Sequence, residues 1–151
     1  MLMMPRFFSV IIDLARVIIV RRDRISSDRN RVIGTFVERL NVLQAAEEVL
    51  QRMEESGYFH DVDLESLRTT IVGFLREPTR NLLGLCSYSR MHKKAQSPGE
   101  RTWRILLNRD LLYSQRHELH ATIYHEFLHG ILGCEEGHGE KFKRFESLWP
   151  L

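Results

Sequence analysis

At 151 residues and 17.9 kDa the chain has the length of one domain, and a chain of that size buries roughly 70% of its unfolded surface without disulfide staples. A composition 43% hydrophobic and 28% charged excludes a disordered or fibrous chain, and two cysteines, Cys86 and Cys134, exclude a disulfide framework or a four-thiolate zinc ribbon. The net charge of +2 conceals alternating blocks: +4 over residues 1–34, −5 over 35–70, +6 over 71–116 and −3 over 117–151.

Residues 7–20 form the one apolar run that invites a membrane reading. Asp13 and Arg16 interrupt it, and its 14 residues fall short of the roughly 20 a spanning helix needs. No membrane association is predicted. A mitochondrial-type presequence is opposed by Asp13, Asp23 and Asp28. With so few cysteines, the expected setting is intracellular, cytoplasmic or nuclear. Residues 21–31 are polar and read as a linker or exposed turn. Residues 1–34 are therefore set apart as a segment of unassigned role, and 35–151 as one compact domain.

Thr35 and Glu38 form a capping box, and Phe36, Leu40, Leu43, Leu50 and Met53 recur at helical spacing until Gly57. This predicts an amphipathic helix with Glu47, Glu48, Glu54 and Glu55 on its wet side. Asp63 can cap a second helix carrying Leu64, Leu67, Ile71 and Phe74, stopped at Glu77-Pro78 because proline disfavours helix in the residue before it. Residues 82–90 and 102–108 read as strands joined across 91–101, where Ser97-Pro98-Gly99 is a turn signal. Ser114 is the expected start of a helix reaching Leu132, with Gly133 as its stop. A last short helix places Phe142, Phe145 and Leu148 on one face before Pro150. The order is helices, hairpin, helix, helix. The predicted class is therefore α+β, with N-terminal helices, a small antiparallel sheet and a functional helix.

That functional helix carries His125-Glu126-Phe127-Leu128-His129. Two histidines four apart lie one turn above the other on the same helix face, so both imidazoles can reach a single ion. Glu126 stands where a His-Glu-x-x-His site needs a carboxylate beside the water rather than on the metal. Ile123, Tyr124, Phe127, Leu128, Ile131 and Leu132 make the helix apolar nearly all round, which predicts burial. Histidines and a glutamate inside such a helix are costly unless paired or metal-bound. Core residues satisfied by backbone or charge partners are the alternative. A zinc site also needs a third protein ligand. His138, flanked by Gly137 and Gly139, is the first candidate, with Glu135, Glu136 and Glu146 as rivals. His92, His117 and His120 fall outside the expected ligand set, and Cys134 reads as a small buried hydrophobe rather than a thiolate ligand. Tyr88, Tyr113 and Tyr124 are available as oxyanion donors but equally as packing residues.

His125-Glu-x-x-His129 followed by Gly137-His138-Gly139-x-x-Phe142 resembles the SprT-like zinc metalloproteases, the group that includes Spartan. Gly84-Leu85-Cys86-Ser87-Tyr88, then Trp103-Arg104-Ile105-Leu106-Leu107-Asn108, then the helix ending at His129 follow that family's order of strand, strand and active-site helix. The resemblance covers residues 82–149, and the Phe142…Phe145…Leu148-Trp149 tail is also similar to that of the related WLM-type proteases. It implies a zincin-like fold, Zn2+ on His125, His129 and His138, Glu126 as the catalytic base, and protein substrates crosslinked or bound to DNA. Arg90, Lys93, Lys94, Arg101 and Arg104, with Trp103 alongside, form a basic stretch that suits contact with single-stranded nucleic acid through phosphates and stacked bases. A merely solvated loop is the plainer reading of the same charges. Two other functions stay open: a metal-dependent endoribonuclease of the rRNA-maturation type, whose similar three-His motif lacks the glutamate after the first His, and a non-catalytic module stabilised by zinc. Oligomeric state and cleavage preference have no signature in the sequence.

Overall fold

The structure is a computed structural model that describes residues 31–32, 34–75, 84–88, 103–132 and 138–151. Within these the chain runs β1 (Arg31–Val32), α1 (Phe36–Ser56), a 3-10 turn (Glu65–Thr69), β2 (Ile71–Leu75), β3 (Gly84–Tyr88), β4 (Trp103–Leu107), a second 3-10 turn (Arg109–Tyr113), α2 (Arg116–Leu132) and α3 (Glu140–Glu146). The class is α+β, as expected.

The capping box starts α1. Thr35 Oγ1 accepts from the Glu38 amide at 3.1 Å, and Glu38 Oε1 accepts from the Thr35 amide at 2.8 Å. Gly57, with φ of +79°, closes the helix in the left-handed conformation that glycine takes without Cβ strain. The buried stripe is Val42, Leu43, Ala45, Val49, Leu50 and Met53, whereas Phe36 is 56% exposed. Glu38 itself is buried. Its carboxylate accepts from Arg109 Nε at 2.7 Å and Nη2 at 2.6 Å, and from the Tyr113 hydroxyl at 3.0 Å. The Arg109 guanidinium, more than any other neighbour, holds this carboxyl down to about 2. The node ties the start of α1 to the turn that leads into α2.

The fold departs from the sequence expectation in the segment after Asp63 and in the sheet. The expected second helix after Asp63 is a 3-10 turn followed by strand β2. Asp63 does accept from the Ser66 amide at 3.3 Å, but only that single turn follows. Residues 71–75 read Ile-Val-Gly-Phe-Leu, and a β-branched pair followed by glycine is poor helix material. Val72, Phe74 and Leu75 are all buried, the signature of a strand covered on both faces. The second departure concerns the sheet. The expected antiparallel pair is present as β3–β4, but it is part of a larger sheet, mixed and four-stranded, in the order β1-β2-β4-β3. β2 runs parallel to β4, with Val72 opposite Ile105 and Phe74 opposite Leu107, while β1–β2 and β3–β4 are antiparallel. A pairing between β2 and β4 spans a long crossover, and no local pattern in the sequence encodes it. Residues 89–102, which include the expected hairpin connection 91–101, lie outside the described residues, as do 1–30.

Ser114 does not start α2. Its hydroxyl donates to the Leu111 carbonyl at 3.0 Å, and the helix begins at Arg116. The far end agrees with expectation at Leu132, while Gly133 lies outside the described residues. α2 is buried nearly all round: Leu119, Ile123, Tyr124, Phe127 and Leu128 are core residues, and the helix packs against α1, β3 and α3. Among the described residues no helix is long and apolar enough to cross a membrane. After α3 the chain folds back on α2, with the Trp149 ring stacked on Tyr124 at 4.7 Å and Arg52 of α1 over the outer face of Trp149 at 4.6 Å.

Candidate metal centre

His125 and His129 stand on one face of α2, four residues apart, and their rings meet at 5.0 Å between centroids. His138 enters from the turn before α3 and closes the triangle. Its Nε2 lies 3.2 Å from His125 Nε2 and 3.1 Å from His129 Nε2, and one donor atom from each of the three lies within 4.8 Å of the others. Three imidazole nitrogens brought edge to edge leave inward lone pairs that repel unless a proton or a cation sits between them. A tetrahedral ion with metal–nitrogen bonds of about 2.0–2.1 Å separates its ligand nitrogens by about 3.3–3.4 Å. The observed 3.1 and 3.2 Å match that spacing, so the donor set fits a divalent ion such as zinc.

The protonation state fits as well. Burial, with His125 and His138 alongside, pushes His129 down to about 4, so its ring is neutral as a metal ligand must be. Phe142 of α3, 1% exposed, is the floor of the site. Its ring stacks on His129 at 4.5 Å and meets His125 and His138 at 4.9 Å each. One buried aromatic ring thus limits the rotation of all three imidazoles.

Glu126, next to His125, is 5% exposed. Burial pushes its carboxyl up to about 7, within the range where a carboxylate can both take and give a proton near neutral pH. Gly84 at the start of β3 is what makes room for it. A Cβ on Gly84 would stand 2.9 Å from Glu126 Oε1 and 3.1 Å from its Cγ. Glu146 was a rival for the third ligand. Its Oε2 instead meets His125 Nδ1, the nitrogen facing away from the cluster, at 2.5 Å. The carboxylate therefore touches the outer side of the His125 ring and lies outside the group of converging donors.

A sequence model of the SprT-like family matches residues 46–147. The chain belongs to the SprT-like family. Searches of curated proteins and of solved structures return no match. Membership of the SprT-like family suggests a metalloprotease-like function and an association with metal binding, and the three-histidine cluster is in keeping with both.

Other sequence candidates fall as follows in this SprT-like chain. His120 is occupied on Glu48, its Nε2 at 2.7 Å from Oε2, and His117 is exposed on α2 away from the cluster. The Tyr124 hydroxyl donates to the Phe145 carbonyl at 2.5 Å and that of Tyr113 to Glu38, so neither is poised over the imidazoles. Cys134, Glu135 and Glu136 lie outside the described residues, as do His92, Arg90, Lys93, Lys94 and Arg101. Arg104 lies on β4, where only the backbone is described. Sequence reasoning missed the bond of Glu146 to His125 and the packing of Gly84 on Glu126. The first joins residues 21 apart and the second joins two elements, so neither leaves a local pattern.

Proposed function

We propose that this chain is a zinc-dependent endopeptidase with a zincin-like arrangement, in which α2 carries the site beneath the edge of a mixed sheet. The observation that supports this most is the convergence of His125, His129 and His138 beside a buried Glu126 on the same helix. Zinc held by those imidazoles would supply Lewis-acid polarisation of a peptide carbonyl and acidify a water towards a pKa of about 7. Glu126 takes the proton of the attacking water and delivers it to the leaving amine. Phe142 excludes solvent from beneath the imidazoles and holds their orientation. β3 is an edge strand of the sheet, and no strand among the described residues pairs with its outer side. An extended substrate segment could add there by backbone hydrogen bonding.

The proposed substrates are proteins bound or crosslinked to DNA. Support for that part comes from the family resemblance and from the basic stretch of Arg90, Lys93, Lys94, Arg101 and Arg104. The deciding experiment is incubation with a histone-like protein, with and without single-stranded DNA, comparing wild type with Glu126→Gln. Loss of intact substrate with wild type alone is the expected result, and stimulation by DNA is expected with it. Protein left intact by both, with single-stranded RNA cleaved by wild type, would favour the endoribonuclease reading instead.

A further inference from the structure

We infer that Glu146 is a positioning residue for the metal centre: it fixes the tautomer and the aim of His125, and the contact between Tyr124 and Phe145 sets the register that makes this possible. The inference rests on the reading of His125 as a metal ligand. A carboxylate oxygen can only accept, so the contact of 2.5 Å between Glu146 Oε2 and His125 Nδ1 places the proton of the neutral ring on Nδ1. Nε2 then presents its lone pair to the point where His129 and His138 converge. The other tautomer would point an N–H into the cluster. Among the described residues Glu146 is the one carboxylate bonded to any of the three imidazoles.

The register is set by the neighbouring pair. Tyr124 precedes His125 on α2, and Phe145 precedes Glu146 at the end of α3. The Tyr124 hydroxyl donates to the Phe145 carbonyl at 2.5 Å, and the Phe145 ring stacks on Phe59 at 5.3 Å. The first contact pins the last turn of α3 against α2 and the second holds it against the turn after α1, so the adjacent carboxylate meets the adjacent imidazole. Phe142 lies one helical turn before Glu146, so both face His125 from the same side of α3.

Two readouts on purified full-length protein test this. Zinc affinity is measured by competition with a chromophoric chelator, and the His125 tautomer by long-range 15N–1H correlation in the metal-free protein. Glu146→Ala should raise the zinc Kd by about 10- to 100-fold, the range found when partners of metal-bound histidines are removed, and should shift the His125 ring away from the Nδ1–H form. Glu146→Gln keeps the shape and an acceptor oxygen, so it should retain the Nδ1–H form with a loss below about tenfold. Wild-type zinc affinity with an unchanged tautomer in Glu146→Ala would overturn the inference. An equal loss in Glu146→Ala and Glu146→Gln, with the tautomer unchanged in both, would also overturn it. His125→Ala separates the two levels. If it leaves zinc binding intact, the ligand reading itself fails. If it abolishes binding while Glu146→Ala does nothing, only the positioning role fails.

Discussion

Gly84→Ala asks whether Glu126 works from the place the fold gives it. The new methyl carbon would stand 2.9 Å from Glu126 Oε1, 3.1 Å from Cγ and 3.2 Å from Cδ, where ordinary contacts begin at 3.4 Å. Three atoms of one side chain must therefore yield by several tenths of an ångström. Glu126 is 5% exposed and cannot swing into solvent, so its carboxylate has to shift within the site. Overpacking of a well-filled position costs roughly 1–3 kcal/mol. The lower end applies here, because the carboxylate end of a side chain gives more readily than backbone. The catalytic cost adds to this: a 1 Å misplacement can cost about 100-fold in rate, so a shift of up to half that is expected to cost about tenfold. The expected result is a fall in kcat/KM of about tenfold on a protein substrate, with one equivalent of zinc retained and about 1 kcal/mol of stability lost in urea. Full activity in a folded Gly84→Ala protein would show that the carboxylate at 126 is not used where it is placed.

Phe142→Ala removes the ring beneath all three imidazoles, so it should cost about 3–5 kcal/mol of stability, as core Phe-to-Ala changes do, and weaken zinc binding too. Denaturant unfolding with and without zinc reads both. Glu38 gives a pH signature. Its carboxyl is depressed from the ordinary 4.5 to about 2 in the folded protein, so its stabilisation is fully present above about pH 4.5 and is lost as pH falls towards 2. The Arg109 side chain is 39% exposed, and solvent screening reduces the contribution to the order of 1–2 kcal/mol. Acid unfolding of Glu38→Gln should accordingly show a shallower loss of stability than wild type between pH 5 and 2, and parallel curves would contradict the assignment.

What the sequence made legible was local or rested on a short motif. The Thr35–Glu38 capping box and the Gly57 stop act over three or four residues of chain, and α1 obeys both. The two histidines of α2 share a face because helical geometry leaves no alternative, and His138 was drawn out by its flanking glycines. The helix expected after Asp63 failed because Leu64, Leu67, Ile71 and Phe74 have helical spacing by coincidence. The first two belong to a turn and the last two to a strand buried on both faces, and a parallel partner 33 residues away selects the strand. The sequence shows Glu38 only as a capping residue, because its second partner, Arg109, is 71 residues distant. Gly84 and Glu146 were missed for the same reason. Their roles exist only after the sheet and α3 have closed on α2.

The most direct test of the metal centre is the zinc content of dialysed protein by inductively coupled plasma mass spectrometry, for wild type, His129→Ala and His138→Ala. One tightly held equivalent in wild type, lost from both variants, is the expected result. Substoichiometric zinc in wild type, or an equivalent that survives both substitutions, would contradict the account.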